Sequence, residues 1–206
     1  MSFIGLLVQI DENLTWGKHT EYIIKKVLSN ISILRKVSSI LTLDNKIAIY
    51  RSIIEPYFNY CCLVWDSICE TLTTKLQRLQ NRAARIITGE PYSVRSKELL
   101  QRLGWSSLSE TRRQHKAVMM YKIVNGLAPP YMLDMFSKQY GSQVYKLRNS
   151  TLNLEIPNAR TELYKNSFAF SGAKIWNELP VDLKKEPSLN AFKKKIKTIN
   201  LCIDNT

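Results

Sequence analysis

The chain has 206 residues, 45% of them hydrophobic, and sets 30 Lys and Arg against 17 Asp and Glu for a net charge of +13. That length and apolar content exclude a disordered tail and allow a substantial core in one domain or in two small ones. No apolar run approaches the roughly 18 to 20 residues of a membrane-spanning helix, and the surplus charge points to a polyanion, most often nucleic acid, with an anionic membrane surface as the rival partner.

The surplus is unevenly placed. Residues 1 to 74 carry 7 basic and 7 acidic groups, residues 75 to 122 carry 11 and 3, and residues 123 to 206 carry 12 and 7. The opening MSFIGLLVQI has no basic n-region and runs into acidic DENLTW where a cleavage site would stand, the pattern of an intracellular protein of nucleus or cytoplasm. It reads as a short N-terminal strand. From Lys18 to Leu41 apolar residues recur at 24, 27, 28, 31, 34, 37 and 41, the spacing of one long amphipathic helix. A second helix begins near Asp44 with Ile47, Tyr50, Ile54, Tyr57, Cys61 and Val64 as its seam, and Pro56 predicts a kink or break at a local cost of about 3 kcal/mol.

The third helix, Thr71 to Thr88, contains KLQRLQNRAARIIT and is closed by Gly89 and Pro91. Leu72, Leu76, Leu79, Ala83, Ile86 and Ile87 fall in an arc of about 100°, and Lys75, Arg78, Arg82 and Arg85 in a second arc of about 80° beside it. No Asp or Glu stands between Glu70 and Glu90, so the helix supplies no i,i+4 ion pairs of its own and its cations call for a negative partner elsewhere. The alternative is a solvated face on a helical scaffold or a degenerate remnant.

A shorter helix near Arg95 to Leu103 stops at Gly104. Ser107 and Glu110 have capping-box spacing for the next, which runs to Asn125 and stops at Gly126. Its AVMMYKIV half is apolar almost all round and so central to a core, whereas Arg112, Arg113, His115 and Lys116 in its first turns oppose the helix dipole and are kept for another purpose, Arg112, Arg113 and Lys116 being read as phosphate contacts. Beyond NGLAPPYM, residues 137 to 167 read as loops with a small hairpin. Two last helices follow, around FAFSGAKIWNEL and from Ser188, the latter setting Leu189, Phe192, Ile196 and Ile199 against Lys193, Lys194, Lys195 and Lys197.

Chemistry is sparse. No phosphate-cradling glycine loop and no nucleophile elbow occurs, and His19 and His115 leave little room for an acid–base relay. The one adjacent acidic pair, Asp11 and Glu12, reads as a turn before a helix rather than a metal site. Cys61, Cys62, Cys69 and Cys202 lack zinc-knuckle spacing and read as buried thiols. Tryptophans 16, 65, 105 and 176 stand at core-like positions, which argues against a stacking platform for single strands.

Five stretches, QIDENLTWGKHTEYIIKKV, YRSIIEPYFNYCCLVW, KLQRLQNRAARIITG, HKAVMMYKIVNGLAPPYM and RTELYKNSFAFSGAKIWNELP, together resemble, in this order, the C-terminal part of LINE-type, non-LTR retrotransposon reverse transcriptases of the jockey-like group. The resemblance implies an RNA-directed DNA polymerase with fingers, palm and thumb. Residues 1–17 would end the palm at a primer-grip-like strand, 18–126 would form a mainly α, thumb-like helical bundle, and 127–206 a small, loop-rich, mixed α+β region with two helices. The family's A-D-D motif lies upstream, so this chain is expected to hold no catalytic centre and no cofactor, Mg2+ serving only the full-length polymerase. Where the family usually has Leu-Gly-Val before the ID, this chain has Leu6, Leu7 and Val8, and it lacks the Cys/His knuckle that some relatives carry. The implied partners are the missing palm and fingers and the RNA or DNA template–primer backbone, met by Lys75, Arg78, Arg82, Arg85, Arg112, Arg113 and Lys116.

Overall fold

The computed structural model describes residues 8–136 and 152–198. Its helices are α1 (Gly17–Val37), α2 (Leu43–Ile53), α3 (Glu55–Asn59), α4 (Glu70–Thr88), α5 (Ser96–Arg102), α6 (Leu108–Val124), α7 (Pro130–Leu133), α8 (Glu162–Lys165), α9 (Phe168–Glu178), α10 (Val181–Lys184) and α11 (Leu189–Thr198). The mainly helical expectation holds among the described residues. They form two compact units, Met1–Thr111 and Arg112–Thr206, and the division falls within the first turns of α6.

In the first unit α4 packs against α1, α2 and α5. Its core joins Ile23, Val27, Ile31 and Leu34 of α1, Tyr50 of α2, Ile54 between α2 and α3, and Leu76, Leu79, Ala83 and Ile87 of α4. Pro56 does break the second helix, separating α2 from α3 at Ile54, whose φ of −113° is distorted from the regular helical value. The break also corrects the expected seam. Past Ile54 the buried positions are Phe58, Cys62 and Trp65 in place of Tyr57, Cys61 and Val64, because the irregular residue turns the following chain by one position. Cys61 and Cys69 are therefore exposed and only Cys62 is a buried thiol; Cys202 lies outside the described residues.

No strand occupies residues 8–11, the described end of the expected N-terminal strand; residues 1–7 lie outside the described set. A lone strand leaves its backbone donors unmet, and here the Gln9 N–H donates to His19 Nδ1 at 3.4 Å instead. Asp11 makes a turn before α1, as expected, its carboxylate accepting the backbone N–H groups of Asn13, Thr15 and Trp16. The Thr15 N–H is foremost among the hydrogen bonds that hold this carboxyl below its usual range.

The second unit is built on α6, whose Ala117, Met120, Tyr121 and Ile123 are buried with Trp176 of α9 and Phe192 and Ile196 of α11, so AVMMYKIV is central to a core as its composition requires. Gly172 lets α9 approach closely, since a Cβ there would stand 2.8 Å from Met120 Sδ. The expected mixed α+β character is not found among the described residues, and the expected hairpin falls largely on residues 137–151, outside them. Where β-prone chain is described, Leu154 stands at a β-bridge position and is also gripped by a side chain. The Leu154 N–H donates to Asn177 Oδ1 at 2.9 Å, and Asn177 Nδ2 donates back to the Leu154 carbonyl at 2.8 Å.

Both histidines are held towards the neutral form, His19 by burial and His115 by burial first and then by the charge of Lys197. A folded-state pKa below the unfolded value means that the unfolded chain takes up protons first on acidification. Stability is therefore fully present above about pH 6.5 and falls as pH drops from there towards the depressed folded values. Melting temperatures between pH 7.5 and pH 5 should decline, and the pair His19→Gln with His115→Gln should flatten the decline; an equally steep slope in that variant would refute the assignment.

Candidate nucleic-acid interface

Helix α4 carries the stripe, and its buried residues show why the stripe stays outside. Leu76, Leu79, Gln80, Ala83, Ala84 and Ile87 are buried, an arc of about 140° at 3.6 residues per turn. That arc is wider than the apolar one and turned away from the cations; Ile86 lies half-buried at its margin, and Leu72, within it but in the first turn, is half-buried too. The extension has two causes. Ala84 packs under Leu99 and Leu100 of α5. The amide side chains of α4 bind the segment before α6: Gln80 Nε2 donates to the Ser106 carbonyl at 3.1 Å, and the Leu108 N–H donates to Gln77 Oε1 at 2.9 Å. Gln77 Nε2 in turn donates to Gln80 Oε1 at 2.7 Å and to Asn81 Oδ1 at 2.9 Å. With its apolar and amide faces both covered, the cationic face is what α4 presents to solvent.

The four cations on that face differ. Lys75 and Arg78 are exposed and Arg82 is half-buried, and among the described residues no hydrogen bond or ion pair engages any of the three. Arg85 is turned inward. Its guanidinium donates to the carbonyls of Pro91 at 3.1 Å and Val94 at 2.8 Å and to Ser96 Oγ at 2.9 Å, and it lies 5.2 Å from the Tyr92 ring centroid. Its fork therefore fastens the turn that follows α4, where Gly89 closes the helix at φ 73°.

The cations of α6 fall in the second unit, where Arg113 and Lys116 are engaged. Arg112 is 3% exposed and Lys116 7%. Lys116 Nζ donates to Ser171 Oγ at 3.0 Å, and Arg113 pairs with Glu178 at 3.4 Å. These contacts, not solvent exposure, supply a purpose for cations at an unfavourable helix end. The capping box beside them forms as read: the Ser107 N–H donates to Glu110 Oε2 at 2.8 Å, and the Glu110 N–H donates to Ser107 Oγ at 3.2 Å. Spacing on α6 gives no sign of which of its cations are buried.

Three further residues, Arg35, Glu90 and Tyr92, join the site without a sequence signal. A cleft of about 200 Å3 beside the C-terminal ends of α1 and α4 is lined by Arg35, Arg82, Arg85, Glu90 and Tyr92. Glu90 is paired to Arg102 at 2.8 Å. Trp16, Trp65 and Trp176 are buried, and Trp105 stacks on Tyr50 with ring centroids 4.0 Å apart, so no described tryptophan forms a platform for single strands. No helix of the described residues is long and apolar enough to cross a membrane. Among the same residues no group of three His, Cys, Asp or Glu is placed to hold a metal ion.

Half of the chain has curated relatives. It is 30% identical over 118 residues to a probable RNA-directed DNA polymerase from transposon X-element of Drosophila melanogaster, a match covering 56% of this chain and 13% of that protein. A probable RNA-directed DNA polymerase from transposon BS of the same organism is 30% identical over 111 residues, 52% of this chain and 12% of its own length. An RNA-directed DNA polymerase from mobile element jockey of Drosophila funebris is 26% identical over 100 residues, 47% of this chain and 11% of its own. The matches thus span about an eighth of the relatives' length. No family model matches the chain, and no solved structure does. The resemblance to non-LTR retrotransposon reverse transcriptases read from the sequence stands on these relatives.

Proposed function

We propose, from this kinship with the RNA-directed DNA polymerases of non-LTR retrotransposons, that the chain is the thumb-like part of such a polymerase and holds the sugar–phosphate backbone of the template–primer duplex. The observation that supports the reading is the solvent-facing stripe of Lys75, Arg78 and Arg82 on a helix whose other faces are covered. Cations of this kind position nucleic acid without reading its sequence, which suits a polymerase that must slide along any template. Arg85 shapes the end of that surface. Arg113 and Lys116 are engaged with Glu178 and Ser171 and Arg112 is buried, leaving three primary phosphate contacts of the seven read from the sequence. Polymerisation itself, with its Mg2+ and its carboxylates, belongs in this reading to palm and fingers supplied by a longer polypeptide, inside the cell.

Titrating an RNA–DNA hybrid with the chain across a salt series tests the proposal. The expected plot of log K against log salt is linear with a slope of at least about −2.7, the release expected from three neutralised phosphates. The same preparation supplied with primed template and nucleotides should extend no primer. A salt-independent affinity, or none at low salt, would overturn the binding role, and incorporation of nucleotides would overturn the division of labour.

A further inference from the structure

The cleft at the end of the α4 stripe has a composition that the duplex-binding role does not require. Arg35, from the last turn of α1, and Arg82 bring two guanidinium groups to one small cavity beside the engaged Arg85, and Glu90, the acid beside them, is already paired with Arg102. Tyr92 is 81% exposed, the most exposed aromatic ring of the described residues. Its position is fixed nonetheless. The Val94 N–H donates to the Pro91 carbonyl at 3.3 Å to close a turn with Tyr92 in it, and Arg85 both holds that turn through the carbonyls of Pro91 and Val94 and lies beside the tyrosine ring. Helix-dipole complementarity explains cations in the last turns of α1 and α4, but neither Arg82, which lies before the last turn of α4, nor a ring pinned in solvent.

A cavity of this size is below those that enclose a whole small-molecule ligand, so it suits one part of a larger partner. Two guanidinium groups recognise a phosphate by forked hydrogen bonds, and an aromatic ring braced by a cation beside it stacks on a base. We infer that the Arg35, Arg82 and Tyr92 cleft is a subsite for one unpaired nucleotide that continues from the duplex on the α4 stripe: its phosphate sits between Arg35 and Arg82 and its base stacks on Tyr92. The inference rests on the duplex-binding reading above and adds to it a preference for a single-stranded junction over a blunt end. Recognition through a phosphate and a ring face is independent of base identity, as a nucleic acid copied regardless of sequence requires.

The test compares three hybrids with the same paired region: blunt, with a two-nucleotide DNA overhang, and with a two-nucleotide RNA overhang, each overhang carrying 2-aminopurine next to the duplex. The unaltered chain should bind an overhang hybrid roughly tenfold or more tightly than the blunt one, the scale of one base stacked on one aromatic side chain, and should quench the 2-aminopurine. Tyr92→Leu should abolish both the quenching and the preference while leaving blunt-end affinity unchanged, and Tyr92→Trp should restore them. Arg35→Gln should shrink the salt slope by about 0.7 on the overhang hybrids only. Quenching by one overhang and not the other assigns the strand chemistry. Equal affinity for blunt and overhang hybrids overturns the subsite and leaves the duplex-binding reading standing, whereas failure to bind any of them overturns both.

Discussion

Changing Lys75, Arg78 and Arg82 together to glutamine will cut the affinity for an RNA–DNA hybrid by roughly 500-fold at 0.1 M salt and reduce the magnitude of the salt slope by about 2.7. The number follows from counterion release: each phosphate neutralised contributes about 0.9 to the slope on a duplex, and three cations stand free on the outer face of α4. Glutamine keeps a good helix former at each position, so the helix and its packing survive the change. Arg85 is left alone on purpose. Its guanidinium meets two carbonyls and a serine hydroxyl, and removing it would loosen the Pro91 turn and confuse lost charge with lost shape. Lys193→Gln with Lys194→Gln, on the exposed side of α11 in the other unit, is the control and should leave the slope nearly unchanged. If the triple variant binds with the parental slope, the stripe is a solvated face and the phosphate contacts lie elsewhere.

The stripe itself was legible because charge and apolar residues both repeat at helical spacing, and a 3.6-residue period needs no knowledge of the partner. The same holds for the break at Pro56, the stops at Gly89 and Gly126, and the Ser107–Glu110 box, each a local rule met by local residues. What escaped depends on contacts far along the chain. Arg82 and Arg85 share one stripe, yet only Arg85 finds carbonyls within reach, because the chain after Gly89 folds back past it. Gln77 and Gln80 look like neutral surface until Ser106 and Leu108 arrive beside them. Burial of Arg112 and Lys116 runs against residue type, and side chains of this kind are rarely fully enclosed.

Replacing Trp65 by alanine will have the largest effect on stability, and it will reach the interface. The side chain is 0% exposed in the core of the first unit, makes an edge contact with His19 at 5.5 Å between ring centroids, and donates from Nε1 to the Tyr60 carbonyl at 2.9 Å. That bond spans the least regular stretch of the unit, where Cys61 takes up φ 47°, a left-handed backbone costly for a side-chain-bearing residue, and where Trp16 Nε1 donates to Ser67 Oγ at 3.0 Å. The segment leads straight into α4. Truncating a buried tryptophan costs about 3 to 5 kcal/mol, a large share of the roughly 5 to 15 kcal/mol that a domain holds in total. Chemical unfolding of Trp65→Ala should show the first unit melting well before the second, and hybrid binding should fall with it although no phosphate contact was touched. Trp65→Phe keeps much of the buried surface and loses the Tyr60 bond, so it should cost less, about 1 to 2 kcal/mol, and retain the parental salt slope. Parental stability in Trp65→Ala would mean that the entrance to α4 is held by something other than this ring, and the account of how the helix presents its cations would have to be rebuilt from the Gln77 and Gln80 contacts alone.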